Sequence, residues 1–305
     1  MSQHAGNQPE GALTTEQRNP ATAEIDRMNP LEIAQAMNAE DARVAGAVQR
    51  ELPQVAAAMQ VIAERLRLGG RLIYLGAGTS GRLGALDAIE CPPTFNIPAD
   101  RIVACVAGGV DALAEAAEAV EDEAATGRVD IERLGANPLD VVVGISASGA
   151  TPYALGGVAA ARERGAYTIG LACNAGSPLE RLVNIMIAPC VGPEVIAGST
   201  RLKAGAAQKM ALNMLSTGAM ILLGKTYGNL MVDVRATNDK LRARARSIVQ
   251  AATGLDAAEA AALLQQADGD AKVAILMHLA GVSPAEARAR LTAHDGVLRA
   301  ALETQ

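Results

Sequence analysis

Residues 71–84, Arg-Leu-Ile-Tyr-Leu-Gly-Ala-Gly-Thr-Ser-Gly-Arg-Leu-Gly, pass from a short apolar run into glycines and hydroxyls and then into a helical pattern. Residues 72–75 read as a buried strand. Gly76, Gly78 and Gly81 let the backbone turn tightly and bring its N–H groups toward an anion. The helix that follows directs its positive end at the same point. The segment therefore predicts a phosphate cradle at the carboxyl end of a strand. Its spacing also fits a dinucleotide fingerprint, but that pattern wants an acid about 20 residues further on to hold a ribose. The second strand, residues 102–106, ends instead in Ala107-Gly108-Gly109. Thr79 and Ser80 inside the loop suit a compact phosphate monoester with many acceptor oxygens.

Beyond this segment, apolar strands alternate with helices. Strands are expected at 71–75, 102–106, 140–145, 167–171 and 185–188, with helices at about 80–91, 110–125, 151–164 and 201–223. Such alternation predicts an α/β domain whose mostly parallel sheet is covered on both faces. Ligands of such sheets sit beyond the carboxyl ends of the strands. Two further loops fall there. Ser146-Ala147-Ser148-Gly149-Ala150-Thr151-Pro152 offers three hydroxyls, and Gly198-Ser199-Thr200-Arg201-Leu202-Lys203 adds cationic groups. One serine-rich turn is usually only a helix cap. Three loops together point to a small anionic ligand, most simply a sugar phosphate.

The flanks are helical. Asn29-Pro30 caps a helix to about Asn38, and a longer one spans 40–68 with a break near Pro53. Residues 236–252 read as a connecting helix, and 255–302 as three short helices separated near Gly269 and Ser283. The expected organisation is a disordered tail over 1–18, a catalytic domain over 19–235 and a small helical domain over 236–305.

Composition removes several classes of function. With four Tyr, one Phe and no Trp, the chain lacks the aromatic platforms of base-stacking proteins. Its formal charge of −6, without a basic run, argues against a polyanionic partner. Cys91, Cys105, Cys173 and Cys190 lack the spacing of a metal site or a disulfide framework, and reduced thiols fit a cytoplasm. The apolar stretch over 210–223 is interrupted by Asn213, Ser216 and Thr217, and no leader pattern opens the chain, so no membrane partner is expected.

The loops resemble those of sugar isomerase (SIS) domains. The strings Leu75-Gly-Ala-Gly-Thr-Ser-Gly-Arg-Leu-Gly, Asp87-Ala-Ile-Glu-Cys-Pro-Pro-Thr94 and Gly198-Ser-Thr-Arg-Leu-Lys-Ala-Gly look like those of the N-acetylmuramic acid 6-phosphate etherases, as does Thr15-Glu-Gln-Arg-Asn-Pro20. The resemblance covers nearly the whole chain. It implies a flavodoxin-like three-layer domain, a homodimer, no cofactor and no metal. The implied reaction removes the lactyl ether of N-acetylmuramic acid 6-phosphate, releasing D-lactate and N-acetylglucosamine 6-phosphate. The glucokinase regulatory protein, a distant relative that binds sugar phosphates without this chemistry, marks a non-enzyme alternative, and an aldose–ketose isomerase is another.

By the same resemblance the catalytic acid falls on Glu90 and the second catalytic glutamate on Glu121. The implied binding residues are Gly78, Thr79, Ser80, Ser146, Ser148, Thr151, Ser199, Thr200 and Lys203. Read without it, Glu90 is equally a surface acid, although a place at the end of its helix, just before Cys91-Pro92-Pro93, would set it against the negative end of the dipole. Glu121 looks like one of several acids on a solvated helix face, and only the resemblance selects it. Two positions depart from the family pattern. Ala150 stands where Arg is common, and Ala206 where Thr is common.

Overall fold

A computed structural model describes residues 13–115, 118–234 and 239–303, the side chains of 118 and 119 excepted. Its described residues divide into two compact units. One runs up to Ala88 and resumes over Ile102–Leu215, and the other joins Ile89–Arg101 to the chain from Ser216 onward. The second unit thus takes in the end of one helix of the sheet unit's sequence, which the expected boundary at 235 did not separate.

The first unit is built on strands β1 (Leu72–Gly76), β2 (Ile102–Val106), β3 (Val141–Ile145), β4 (Tyr167–Leu171) and β5 (Ile185–Ile187). All pairings are parallel, in the order β2-β1-β3-β4-β5. Every residue of β1 and β3 is buried, which is why both read as continuous apolar runs. The strand order is the flavodoxin-like one, so β1 lies between β2 and β3 and the loops leaving all three are neighbours. The fully buried Asp140 fixes this register. It accepts from the backbone N–H of Arg71 and from its guanidinium, at 2.9 and 2.6 Å, which ties the entries of β1 and β3 together.

Helices α1 (Pro30–Asp41), α2 (Val44–Arg50) and α3 (Leu52–Arg67) precede the sheet. Asn29 caps α1 in a capping box with Glu32, as Asn29-Pro30 suggested. Between the strands lie α4 (Gly78–Phe95), α5 (Glu118–Glu121), α6 (Ala124–Leu134) and α7 (Pro152–Glu163), and α8 (Lys203–Leu222) follows β5. Helices α6 and α7 meet backbone to backbone. A Cβ on Gly127 would stand 2.0 Å from the Tyr153 carbonyl oxygen, so only glycine permits the approach.

Three expectations change here. The stretch 110–125 is a 3-10 turn (Asp111–Leu113), then α5, then the start of α6, with 116 and 117 outside the described residues. Arg82 explains part of the break. Its guanidinium donates to the carbonyls of Ala112 and Glu115, at 2.9 and 2.7 Å, and so draws the segment toward α4. The tail is shorter than 1–18. Residues 1–12 lie outside the described residues, whereas Thr14–Glu16 form a 3-10 turn with Thr15 fully buried. Thr14 donates to the Asn174 side chain and Gly198 N–H donates to the Thr15 carbonyl, so this segment is part of the packed unit.

The third change concerns α4, which does not stop before its two prolines. Each removes a backbone donor, yet the helix continues to Phe95. Buried Cys91 and Phe95, four apart on one face, hold this last turn, and the Thr94 hydroxyl donates to the Glu90 carbonyl at 2.7 Å.

The second unit is helical, with α9 (Asp239–Thr253), α10 (Ala257–Gln266), α11 (Ala271–Ala280), α12 (Pro284–Ala293) and α13 (Leu298–Glu303). The expected start of α9 at 236 lies outside the described residues. The stretch 255–302 holds one more helix than expected, because the turn over 294–297 frees α13 to bury Leu298 and Ala301. Val249, Leu264, Ile275 and Leu276 form the core. Lys272 is buried beside it and donates to Asp233 and to the Gly296 carbonyl.

Candidate active site

The first loop ends β1 and begins α4. Gly78 holds a φ of +53°, a conformation that side chains with a Cβ rarely adopt. It is also crowded. A Cβ there would come within 2.6 Å of Glu121 Oε1, so the carboxylate lies directly against the start of the helix. Glu121 closes the short α5 and is half-buried, unlike the exposed Asp122 and Glu123 that follow it. Among the described side chains of this acidic run, Glu121 is the one placed beside Gly78. Thr79 is half-buried, and buried Ser80 donates from its hydroxyl to Gln208 Oε1 at 3.1 Å.

The second loop follows β3. Ser146, Ser148 and Thr151 bring their hydroxyls together, with Ser146 Oγ 3.2 Å from Ser148 Oγ and 2.8 Å from Thr151 Oγ1. Thr151 precedes α7 without capping it by its side chain, so its hydroxyl serves this cluster instead. The backbone N–H groups of Gly149 and Ala150 donate to Ser146 and Ser148. Each of the two contacts among these three hydroxyls uses one hydroxyl hydrogen, which leaves one hydrogen of the cluster for an anion. Because β1 and β3 are adjacent, these hydroxyls open on the same side of the sheet as Gly78.

The third loop meets the first at Gly205. A Cβ on that residue would lie 3.6 Å from both the Thr200 carbonyl oxygen and the Thr79 methyl carbon. Ser199 and Thr200 are half-buried. Lys203 requires a correction. Its side chain is wholly buried and its ammonium is paired with Glu40 on α1, so it faces the core and not the loops. Burial pushes the Glu40 carboxyl up, but hydrogen bonds from Lys203 and Asn19 and the charges of Lys203 and Arg43 reverse this and hold it below its ordinary value. The start of α8 is likewise occupied. Fully buried Glu194 accepts from the backbone N–H groups of Lys203 and Ala204, at 3.0 and 2.9 Å.

Glu90 is exposed and belongs to the helical unit, on a stretch of α4 that runs past it. The helix-end argument does not apply to it, since the dipole acts within the last turn. One turn earlier, buried Asp87 accepts from the Tyr74 hydroxyl at 2.8 Å and from Lys209 at 3.1 Å. Sequence reasoning also missed Gln208, Glu194 and Asn174. The Asn174 amide donates to the Thr15 hydroxyl and to the Ala147 carbonyl, which joins the N-terminal segment to the second loop. Only the specific Thr15-to-Pro20 string hinted at such a role. Ala206, by contrast, is exposed in an apolar groove with Met37, Val44, Leu202 and Met210, on the side of α8 away from Gln208.

A parallel β2-β1-β3-β4-β5 sheet whose neighbouring loops converge hydroxyls and a helix start defines a sugar-phosphate domain of SIS type. Residues 54–162 match the family described as the glucokinase regulatory protein N-terminal SIS domain. A phosphoheptose isomerase from Francisella tularensis superimposes with a TM-score of 0.51 at 19% identity, over 64% of this chain and 100% of that one, a likeness of fold alone.

Relatives in sequence are much nearer. The N-acetylmuramic acid 6-phosphate etherase of Rubrobacter xylanophilus is 58% identical over 96% of this chain and 96% of its own length. That of Rhodopirellula baltica is 54% identical over 96% and 97%. The chain belongs to the N-acetylmuramic acid 6-phosphate etherase family.

Proposed function

We propose that this chain is a carbon–oxygen lyase that cleaves the D-lactyl ether of N-acetylmuramic acid 6-phosphate with water, giving N-acetylglucosamine 6-phosphate and D-lactate. Family membership supports the reaction. The observation that carries the reading at the site is the Glu121 carboxylate lying against Gly78, where the phosphate loop begins.

The substrate's phosphate is taken up by the hydroxyls of Thr79, Ser80, Ser146, Ser148 and Thr151 and the start of α4, with Ser199 and Thr200 at the edge. In the open-chain sugar the C1 aldehyde acidifies the C2 proton, and the lactyl oxygen on C3 is a β leaving group. Glu121 takes the C2 proton. The electron pair forms the C2–C3 double bond as the C3–oxygen bond breaks, and Glu90 protonates the departing oxygen. D-lactate leaves an unsaturated aldehyde. Water then adds at C3, giving a proton to Glu90, while Glu121 returns its proton to C2. Each transfer contributes roughly 10²–10⁴ in rate, about 3–5 kcal/mol.

The role of Glu90 rests on the family resemblance. A homodimer and a cytoplasmic setting are supported in the same way, and Cys105, Cys173 and Cys190, which form no disulfide, suit a reducing compartment. Among the described residues no helix is long and apolar enough to cross a membrane. Light scattering that returns twice the chain mass supports the dimer, and a single chain mass overturns it.

Incubation with N-acetylmuramic acid 6-phosphate in ¹⁸O-water is expected to release unlabelled D-lactate and place the label on the C3 oxygen of the product. Label in lactate would mean that a different bond breaks. Glu121→Gln is expected to abolish both lactate release and exchange of the C2 proton with deuterated solvent. Glu90→Gln is expected to lower lactate release by about 10²–10⁴ while slow exchange survives. The reverse pattern would exchange the two roles.

A further inference from the structure

Gln208, on α8, carries an amide that the reaction outlined above does not use. The residue is 1% exposed, and its Nε2 has no hydrogen-bond partner among the described residues. A buried donor left unmet keeps the full cost of its lost hydration. The same amide accepts, through Oε1, the hydrogen of the Ser80 hydroxyl. That bond has a consequence for the phosphate loop. A hydroxyl has one hydrogen, and while Ser80 donates it to Gln208 it has none to offer an anion. Gln208 sits three residues after Gly205, hence on the same face of α8, where Thr79 and Thr200 approach.

We propose that Gln208 is a positioning residue for phosphate, acting through Ser80. Rotating the amide by half a turn exchanges Nε2 and Oε1 within the same volume. Gln208 then donates to the Ser80 oxygen, and the Ser80 hydrogen is released toward the phosphate. Nε2 acquires a partner as Oε1 gives up its own, so the number of bonds within the chain is unchanged, and the ligand gains a charge-assisted hydrogen bond, the stronger kind. Substrate binding is what favours this orientation, since only the anion needs the hydroxyl hydrogen. No proton leaves the protein and no bond to the substrate is made by Gln208 itself.

The inference rests on the phosphate-loop reading, and a double-mutant cycle separates the two. Steady-state kinetics with N-acetylmuramic acid 6-phosphate would compare the parent, Ser80→Ala, Gln208→Met and the double variant. Ser80→Ala is expected to raise KM about tenfold, one charge-assisted bond. An unchanged KM there overturns the loop assignment itself. Gln208→Met is expected to raise KM three- to tenfold with kcat within twofold, and to add less than twofold in the Ser80→Ala background. Multiplicative effects, or a KM that Gln208→Met leaves unchanged, overturn the positioning role.

Should Gln208→Met fail to fold, Gln208→Glu carries the same test. Its carboxylate can only accept from Ser80, so KM should rise more than tenfold above the pKa of the new acid. The ratio of variant to parent KM should fall as pH is lowered and the protonated acid can donate. Because added charge could repel phosphate directly, the pH effect must vanish in the Ser80→Ala background. Its persistence there overturns the proposal.

Discussion

Helices α4 and α8 begin alike in sequence, with Gly78-Thr79-Ser80 at one and Gly198-Ser199-Thr200 just before the other, and each start has drawn in a carboxylate of the chain itself. Their fates differ. At α8, Glu194 is wholly buried, holds two backbone N–H groups and leaves Lys203 to pair with Glu40 in the core. At α4, Glu121 stands half-buried at the end of a four-residue helix, against Gly78. A helix start attracts whichever anion the fold brings within reach. Where the carboxylate is sealed from water it serves stability, and the proposed catalytic role belongs to the one that stands half-buried beside the loop.

The largest effect expected from this contrast is at α8. Lys203→Ala leaves buried Glu40 with only Asn19 and the exposed Arg43 to offset its charge and should cost roughly 3 kcal/mol in denaturant unfolding. The pair Glu40→Leu with Lys203→Met should recover most of that loss. A single variant as stable as the parent would show that the ion pair contributes nothing.

Next, the two acids can be set against each other. Glu194→Ala should destabilise by roughly 1–3 kcal/mol, by leaving buried N–H groups of α8 without an acceptor. Glu121→Ala should change stability by less than about 0.5 kcal/mol while abolishing lactate release. If the two unfold alike, the division between structural and chemical carboxylates fails.

Smaller shifts should separate the loops themselves. Ser148→Ala is expected to raise KM about tenfold, close to 1.4 kcal/mol, and Ser199→Ala by no more than threefold. Equal effects would put the third loop on the same footing as the second.

The smallest is the acid arm of stability. Glu40 is held below its ordinary carboxyl value of 4.5 in the folded chain. A depressed folded value contributes stability that is complete above the unfolded value and is lost as pH falls through the folded one. Stability of the parent should therefore decline with acidification below about pH 4.5, and Glu40→Gln should show a shallower decline. Parallel curves would remove Glu40 from the acid response.

The central strands were legible to within a residue or so, because a parallel strand buried on both faces must be apolar throughout. The loops after β1 and β3 were legible for a related reason. Glycine and hydroxyl residues between an apolar run and a helical pattern mark the turn that joins a strand to a helix. Reasoning failed where a long-range partner overrode a local rule. Pro92 and Pro93 announce a helix end, and the burial of Cys91 and Phe95 carries α4 past them. Thr15 lies in a stretch expected to be disordered, and contacts with Asn174 and Gly198 bury it. Lys203 has the residue type of an anion ligand, and Glu40, 163 positions away, claims it.

The sequence by itself determined the α/β class, the positions of the strands and the first two hydroxyl loops, since these follow from apolar runs and backbone rules that act within a few residues. Only the tertiary structure decided which acid in the run around 121 reaches Gly78, which carboxylate closes α8 and that the Ser80 hydroxyl answers to Gln208. The first and last of those choices join groups tens to more than a hundred residues apart, and Glu194 acts across an irregular turn of nine residues; the energy of a buried charge or hydrogen bond depends on the partner brought to it, which no local pattern specifies.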